Sequence, residues 1–317
     1  MGQSSRSSID ARVARRVEIA EGVISLELVA LGGGSLPAWE CGAHIDLHLK
    51  GRVRQYSLCG DSFSRDCYQI AVLLQPQGRG GSSAVHAMLH EGDEIKIGSP
   101  RNHFKLVDAP GYCFIAGGIG ITPIRSMIQC VAGQNKEWVL YYGGRNINSM
   151  AFSGELSSYV GQVHVLPEDE HGLLPLESIL DELPQGHVIY CCGPENLLAA
   201  VESATKKRPG VELHVERFSS PVPKHLPDDL PFDVICVDSG KTVPVGSQET
   251  ILNALLAAGV DASFDCCEGT CGTCEIEVID GDVDHRDAIL TGDQRAASRV
   301  IFPCVSRSRS TRLILDI

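Results

Sequence analysis

Four cysteines stand at a spacing that suits iron. Cys266, Cys271 and Cys274 follow C-x4-C-x2-C, and Cys304 comes after 29 further residues. Three thiolates from one tight loop and a fourth from a remote segment can enclose two irons and two inorganic sulfides, a [2Fe–2S] cluster. Gly269 and Gly272 suit a loop that turns its amides toward the sulfides, where a side chain would block close approach. Cys267 falls outside the set, because using it would leave only three residues before Cys271. The competing reading is a tetrahedral zinc site, which ordinarily shows two short cysteine pairs rather than one loop and one remote thiol.

Other segments suit anions. Cys113–Pro123, CFIAGGIGITP, runs from an apolar strand through a glycine turn into a helical stretch. Gly118 and Gly120 let a phosphate approach the backbone, and the helix start offers unpaired N–H groups. A second strand, turn and helix, VIYCCGPENLL, follows at residues 188–198. Two such turns at strand carboxyl ends can face one crevice, where open α/β sheets bind ligands. The G-x-G-x-x-G fingerprint is missing, so a standard dinucleotide fold is not expected. Gly78-Arg79-Gly80-Gly81-Ser82 precedes another helical stretch; it reads as a phosphate-binding turn or as a flexible hairpin.

These segments need elements to hold them. Residues 13–104 read as short strands broken at Gly, Pro or Asp, which suggests a small antiparallel barrel. Residues 111–218 alternate strand and helix as a parallel α/β unit does. SSPVPKHLPDDLP carries four prolines and no apolar periodicity, and reads as a linker. The expected domains are an antiparallel β-barrel at 1–106, an α/β domain at 107–218, a linker at 219–232 and a β-grasp iron–sulfur domain at 233–317.

Together these segments resemble the ferredoxin-NADP reductase superfamily, in which GGIGITP and CGP line the nicotinamide site and R-x-Y-S holds the flavin; Arg54-Gln55-Tyr56-Ser57 has that form. Ser99–Phe104, SPRNHF, is similar to its G-P-x-x-x-F segment, with serine for glycine. The order of barrel, nicotinamide domain and C-terminal plant-type ferredoxin resembles the phthalate dioxygenase reductase family, which also holds vanillate O-demethylase reductases. That resemblance implies that the barrel is the flavin-binding domain and the α/β unit the nicotinamide-binding domain. It implies FMN bound by Arg54, Tyr56, Ser57, Gly80, Gly81 and Ser82, with Arg79 a helper. It implies Thr122 near the flavin or nicotinamide, a nicotinamide crevice of Gly118, Gly120, Cys192, Gly193 and Pro194, and Arg145 at the adenosine half. Cys192 is equally readable as a buried packing thiol. Glu216 and Phe218, in HVERFSS, resemble the segment ending beside the flavin. NADH is the family's donor, although Arg145 can meet either a 2′-phosphate or a hydroxyl.

The implied activity is that of a reductase component of a Rieske-type oxygenase. Hydride from NADH reaches FMN, and single electrons leave through the cluster to the oxygenase. Alternatives are a reductase for another acceptor, such as a cytochrome P450, or a flavin and iron–sulfur redox sensor. Hydride transfer needs no general acid or base, so no catalytic triad is expected, and His44, His86 and His103 read as structural or surface groups.

Composition narrows the partners. The 317 residues are 43% hydrophobic and 21% charged, with a net charge of −13. That charge disfavours nucleic acid and anionic membrane. No apolar run is long enough to span a bilayer. Without the apolar stretch of a secretory signal at the N-terminus, a cytoplasmic protein with reduced thiols is expected, a monomer by family resemblance. Residues 233–317 hold 14 acidic and 7 basic residues, a surface suited to transient docking on a basic acceptor or simply to solubility.

Overall fold

The structure, a computed structural model, describes residues 8–50, 52–78, 80–134, 136–219, 225–290, 292–297 and 299–317. By its contacts the chain divides into two compact units, one ending at Glu216 and the other beginning at Arg217.

The first unit opens with β1 (Ser8–Ala20), β2 (Val23–Ala30), β3 (His44–Leu49), β4 (Arg52–Ser57), β5 (Tyr68–Leu73), α1 (Gly81–Met88) and β6 (Glu94–Gly98). The strands form one antiparallel sheet in the order β4-β3-β6-β1-β2-β5. Alternation along each strand sends one face inward, so that Val13, Leu26, Leu28, Ile45, Leu47, Ile70, Ile95 and Ile97 fill a single core. Beyond β4, Leu58 bridges Ile70, and the Cys59 amide donates to the Gln69 carbonyl at 2.9 Å. These contacts join the two outer strands and close the sheet into a barrel.

The unit continues through β7 (Gly111–Gly117), α2 (Ile121–Gly133), β8 (Glu137–Gly144), α3 (Ser153–Leu156), β9 (Val163–Pro167), α4 (Glu168–His171), α5 (Leu176–Asp181), β10 (His187–Cys192), α6 (Glu195–Thr205) and β11 (Glu212–Glu216). The sheet is parallel, ordered β11-β10-β7-β8-β9. Every residue of β7 is buried, as befits a central strand with apolar clusters on both faces. One of those clusters runs from α2 into Cys41, Cys59, Ala71 and Phe104 of the barrel region. The barrel and the α/β sheet thus share a core, which is why they pack as one unit.

The second unit holds β12 (Phe232–Cys236), β13 (Lys241–Val245), α7 (Ile251–Ala257), β14 (Ile276–Asp280), β15 (Val283–Asp284), α8 (Gly292–Ala297), β16 (Val300–Ile301), β17 (Arg307–Ser308) and β18 (Arg312–Leu315). Its main sheet is mixed, in the order β13-β12-β18-β14-β16, and β15 pairs with β17. α7 starts at Thr250, whose Oγ1 accepts the Asn253 amide at 3.2 Å. Its Ile251, Leu252 and Leu255 share a core with Val234, Val243, Leu313 and Leu315. This is the expected β-grasp arrangement.

The described end of the proline-rich linker is fastened to this unit. The Asp229 carboxylate accepts Arg286 Nη1 at 2.9 Å and Nη2 at 2.5 Å, and Arg307 Nη2 donates to the Leu230 carbonyl at 3.1 Å. Arg286 lowers the Asp229 carboxyl to about 2. Among the described residues no helix is long and apolar enough to cross a membrane.

Candidate functional site

In the α/β sheet the strand order reverses between β7 and β10, and the ligand crevice of such a sheet opens beyond the carboxyl ends of those two strands. The β7 exit is a single 3-10 turn, Gly118–Gly120, with Gly118 at φ +53°. It lies directly on the β10 exit: a Cβ on Gly120 would stand 2.2 Å from the Cys192 carbonyl oxygen, and one on Gly193 would stand 3.0 Å from the Gly117 backbone. Glycine is required here by backbone contact, and Pro194 then caps the entry to α6. Thr122 is 2% exposed, and its hydroxyl donates to the Ile119 carbonyl at 2.9 Å. Arg145 is exposed just past β8, and its carbonyl accepts the Asp169 amide at 3.2 Å.

The barrel brings a second set to the same unit. Arg52 and Arg54, two apart on β4 and so on one strand face, lie against the start of α1. A Cβ on Gly80 would meet Arg52 Nη1 at 2.7 Å, and one on Gly81 would meet Arg54 Nε at 2.6 Å. Gly80 caps α1 at φ +76° with no side-chain oxygen over the first-turn amides. Two guanidinium groups beside an uncapped helix start make a cradle fit for a phosphate. Ser82 Oγ accepts the Gln75 amide at 3.0 Å, which pins the turn. Arg79 lies outside the described residues. Arg52 was not singled out by motif, although the period of two from Arg54 carried the signal.

At the end of β4 the two sets meet. The Ser57 side chain lies near enough to the Glu216 carboxyl at the end of β11 to act on it, and Glu216 lies close enough to Cys192 for its charge to act on the thiol. Burial pushes the Glu216 carboxyl up to about 8, against a smaller lowering by Ser57. Among the described residues its Oε2 is buried with no hydrogen-bond partner. Cys192 is fully buried, and its thiol is pushed well up by desolvation and then by Glu216. Tyr56, the neighbour on β4, rests partly on the barrel core, and burial lifts its phenol to about 12. His44, opposite Ser57 on β3, has a second buried unpartnered atom, Nε2; burial, then Arg101 and His103, lowers its imidazole to about 3. It is neutral. His103 lies beside it at 5.6 Å between ring centroids, and His86 Nε2 bonds the Val72 carbonyl at 2.8 Å. The unpartnered Glu216 and His44 atoms and the Gly81 cradle fit a polar-edged, phosphate-bearing group such as FMN. Phe218 is 43% exposed and falls within the second unit.

In the second unit the four thiols are buried, each at most 7% exposed. They form two pairs. Cys274 and Cys304 lie 3.3 Å apart at sulfur, too far for a disulfide, and the Cys266 and Cys271 side chains hydrogen-bond each other. The amides of Glu268 and Thr273 donate to the sulfurs of Cys266 and Cys271 at 3.3 and 3.4 Å. Bonds from Cys271 and then Thr270 hold the Cys266 thiol down at about 6, against the opposing effect of burial. Two thiol pairs suit the two irons of a [2Fe–2S] cluster. Gly269 sits at φ +69° with Val305 and the Asp287 backbone within 3.0 Å of where a Cβ would be, and Cys267 adopts φ +53°. Cys267 is left outside the pairs.

Comparison with known proteins agrees with both halves. Residues 235–309 match the 2Fe-2S iron–sulfur cluster binding domain, and residues 114–203 match the oxidoreductase NAD-binding domain. The chain is 39% identical to phenoxybenzoate dioxygenase subunit beta of Ectopseudomonas oleovorans, over 94% of each chain. It superposes on an intact type IV self-sufficient cytochrome P450 monooxygenase with a TM-score of 0.91 at 42% identity, covering all of this chain and 42% of that longer one. It also superposes on phthalate dioxygenase reductase, a modular structure for electron transfer from pyridine nucleotides to [2Fe–2S], with a TM-score of 0.74, 32% identity and 98% of both chains covered. With its three-domain order, its paired thiols and near-complete coverage, the chain belongs to the phthalate dioxygenase reductase family.

Proposed function

We propose that the protein is the reductase component of a Rieske-type oxygenase system, drawing electrons from NADH through FMN and its [2Fe–2S] cluster. When bound, FMN takes two electrons as hydride and releases them singly, which matches the one-electron capacity of the cluster. The observation that carries the reading is the meeting of Ser57 on the barrel with Glu216 and Cys192 at the sheet's ligand edge. A meeting of barrel and sheet at this point is what hydride transfer from a nicotinamide to a flavin requires.

The roles follow from the chemistry. Arg54, Gly80, Gly81 and Ser82 hold the FMN phosphate, joined by Arg52, with Arg79 as helper. Tyr56 and Ser57 meet the flavin ring. Gly118, Gly120, Thr122, Cys192, Gly193 and Pro194 line the nicotinamide side, and Arg145 meets the adenosine half. Glu216, with its carboxyl raised to about 8, is protonated at neutral pH and donates a hydrogen bond at the crevice without adding charge. Cys266, Cys271, Cys274 and Cys304 hold the cluster. The domains divide at 106, 218 and 232, and the linker keeps electron transfer within one chain. The protein acts as a cytoplasmic monomer that docks transiently on its oxygenase.

Anaerobic titration with NADH tests this. Both flavin and iron–sulfur absorption should bleach, and the released flavin should be FMN; a colourless zinc protein would overturn it. The similarity to a self-sufficient cytochrome P450 supports a second reading, in which the acceptor is a P450 haem. Mixing NADH-reduced protein with a Rieske oxygenase component or with a P450 haem domain under carbon monoxide separates the two by which acceptor is reduced.

A further inference from the structure

Arg125 is 8% exposed on α2, one turn beyond the β7–α2 glycine turn. Its guanidinium faces three ways. Nη1 donates to the Cys59 carbonyl, two residues past Ser57, and to Gln69 Oε1 on β5 at 3.1 Å. Nε and Nη2 donate to the Glu155 carboxylate of α3 at 3.1 and 2.9 Å. Its Cζ lies over the Phe152 ring, 4.6 Å from the ring centre, and Phe152 holds a left-handed φ of 62° just before α3. The Cys59 amide and Gln69 carbonyl are themselves the bond that closes the barrel.

A cation brought this far out of water is tolerated because Glu155 neutralises it and the barrel's Cys59 carbonyl and Gln69 amide oxygen accept from Nη1. A guanidinium is suited to the task because its rigid fork addresses several acceptors at fixed angles, which an ammonium cannot do. Apolar packing would hold the barrel and the sheet together at some distance. Directed bonds from the helix that follows the nicotinamide turn to the Cys59 carbonyl beyond Ser57 and to Gln69 set one particular distance.

We propose that Arg125, with Glu155 as its counter-charge, is a positioning residue that fixes the register between the flavin-binding strand and the nicotinamide turn. The inference rests on the proposed hydride transfer from NADH to FMN. Such transfer is sensitive to displacements of about an ångström between donor and acceptor. Arg125 touches neither reactant.

The test uses full-length holoprotein in anaerobic stopped flow with NADH. In Arg125→Met, and equally in Arg125→Lys, flavin reduction at saturating NADH should slow about tenfold or more. NAD+ affinity should change less than twofold, and the long-wavelength nicotinamide–flavin charge-transfer band should weaken. Glu155→Gln, on a half-exposed side chain, should act the same way with roughly a threefold slowing. In the same holoprotein variants, kept oxidised without NADH, hydrogen exchange should rise together at residues 57–60 and 118–121. Wild-type rates and an unchanged charge-transfer band in the variants would overturn the proposal, as would faster exchange in only one of the two segments. If Arg125→Met fails to fold or to keep flavin, the same measurements on Glu155→Gln decide. Failure of NADH to bleach the wild-type protein would instead overturn the proposed function itself.

Discussion

The cluster loop takes three of its four thiols from nine consecutive residues, Cys266–Cys274, and a fourth from Cys304. The crevice takes its groups from β4, the start of α1, the β7–α2 turn and the ends of β10 and β11. In the loop, donors sit beside the atoms they serve: the Glu268 and Thr273 amides point at sulfurs two residues away. In the crevice, Ser57 finds Glu216 only because a barrel and a parallel sheet share one core. A metal site can be local because ligand spacing in the chain sets ligand spacing in space. A site that stacks two cofactors needs two surfaces, and those surfaces come from different folds.

The sharpest way to break this contrast is to remove one thiol. Cys271→Ser should eliminate the cluster and abolish electron delivery to a one-electron protein acceptor, while NADH still bleaches the flavin; visible absorption and iron content report it. Loss of flavin reduction in the same variant would show that the two sites are not built independently. Next in size, Gly120→Ala places a methyl 2.2 Å from the Cys192 carbonyl oxygen. The overpacking should cost about 1–3 kcal/mol, read as a lower Tm and a raised KM for NADH.

Arg54→Ala removes one cation of the phosphate cradle, and charge-assisted bonds of this kind contribute about 1.5–3 kcal/mol. FMN should bind more weakly by roughly tenfold to a hundredfold in fluorescence titration, with the cluster spectrum intact. A smaller effect concerns pH. The Glu216 carboxyl stands at about 8 in the folded chain against an ordinary 4.5, so the folded state holds the extra proton between those values. Stability therefore falls as pH rises through that window and levels off above it. Glu216→Gln should flatten the slope of Tm against pH, a change of roughly a few degrees. Smallest of all, raising salt should slow reduction of the oxygenase modestly, if the 14 acidic residues of 233–317 steer docking. Salt independence would leave that acidity as a matter of solubility.

Much of this molecule is legible in the chain. The barrel strands announce themselves by alternation, β7 by its unbroken apolar run, and the linker by its prolines. The linker is shorter in effect than its composition suggests, because Asp229 is tied to Arg286 and Arg307, residues whose partner no local pattern names. Arg52 was within reach, since a period of two links it to Arg54. Arg125 and His44 were not. An arginine in a helix and a histidine in a strand reveal nothing of the carbonyl or the buried edge they meet.

The sequence by itself determined the spacing of the four cysteines, the order of the domains and the glycine turns, because each depends on residues close together in the chain or on a repeating period. Tertiary structure alone decided that Ser57, Cys192 and Glu216 meet, that Arg125 reaches from α2 to the barrel's closing bond, and that burial pushes the Glu216 carboxyl up. Those outcomes depend on which surfaces are packed out of water against each other. Burial, which sets both the strength of a hydrogen bond and the pKa of a carboxyl, is a property of the packed fold.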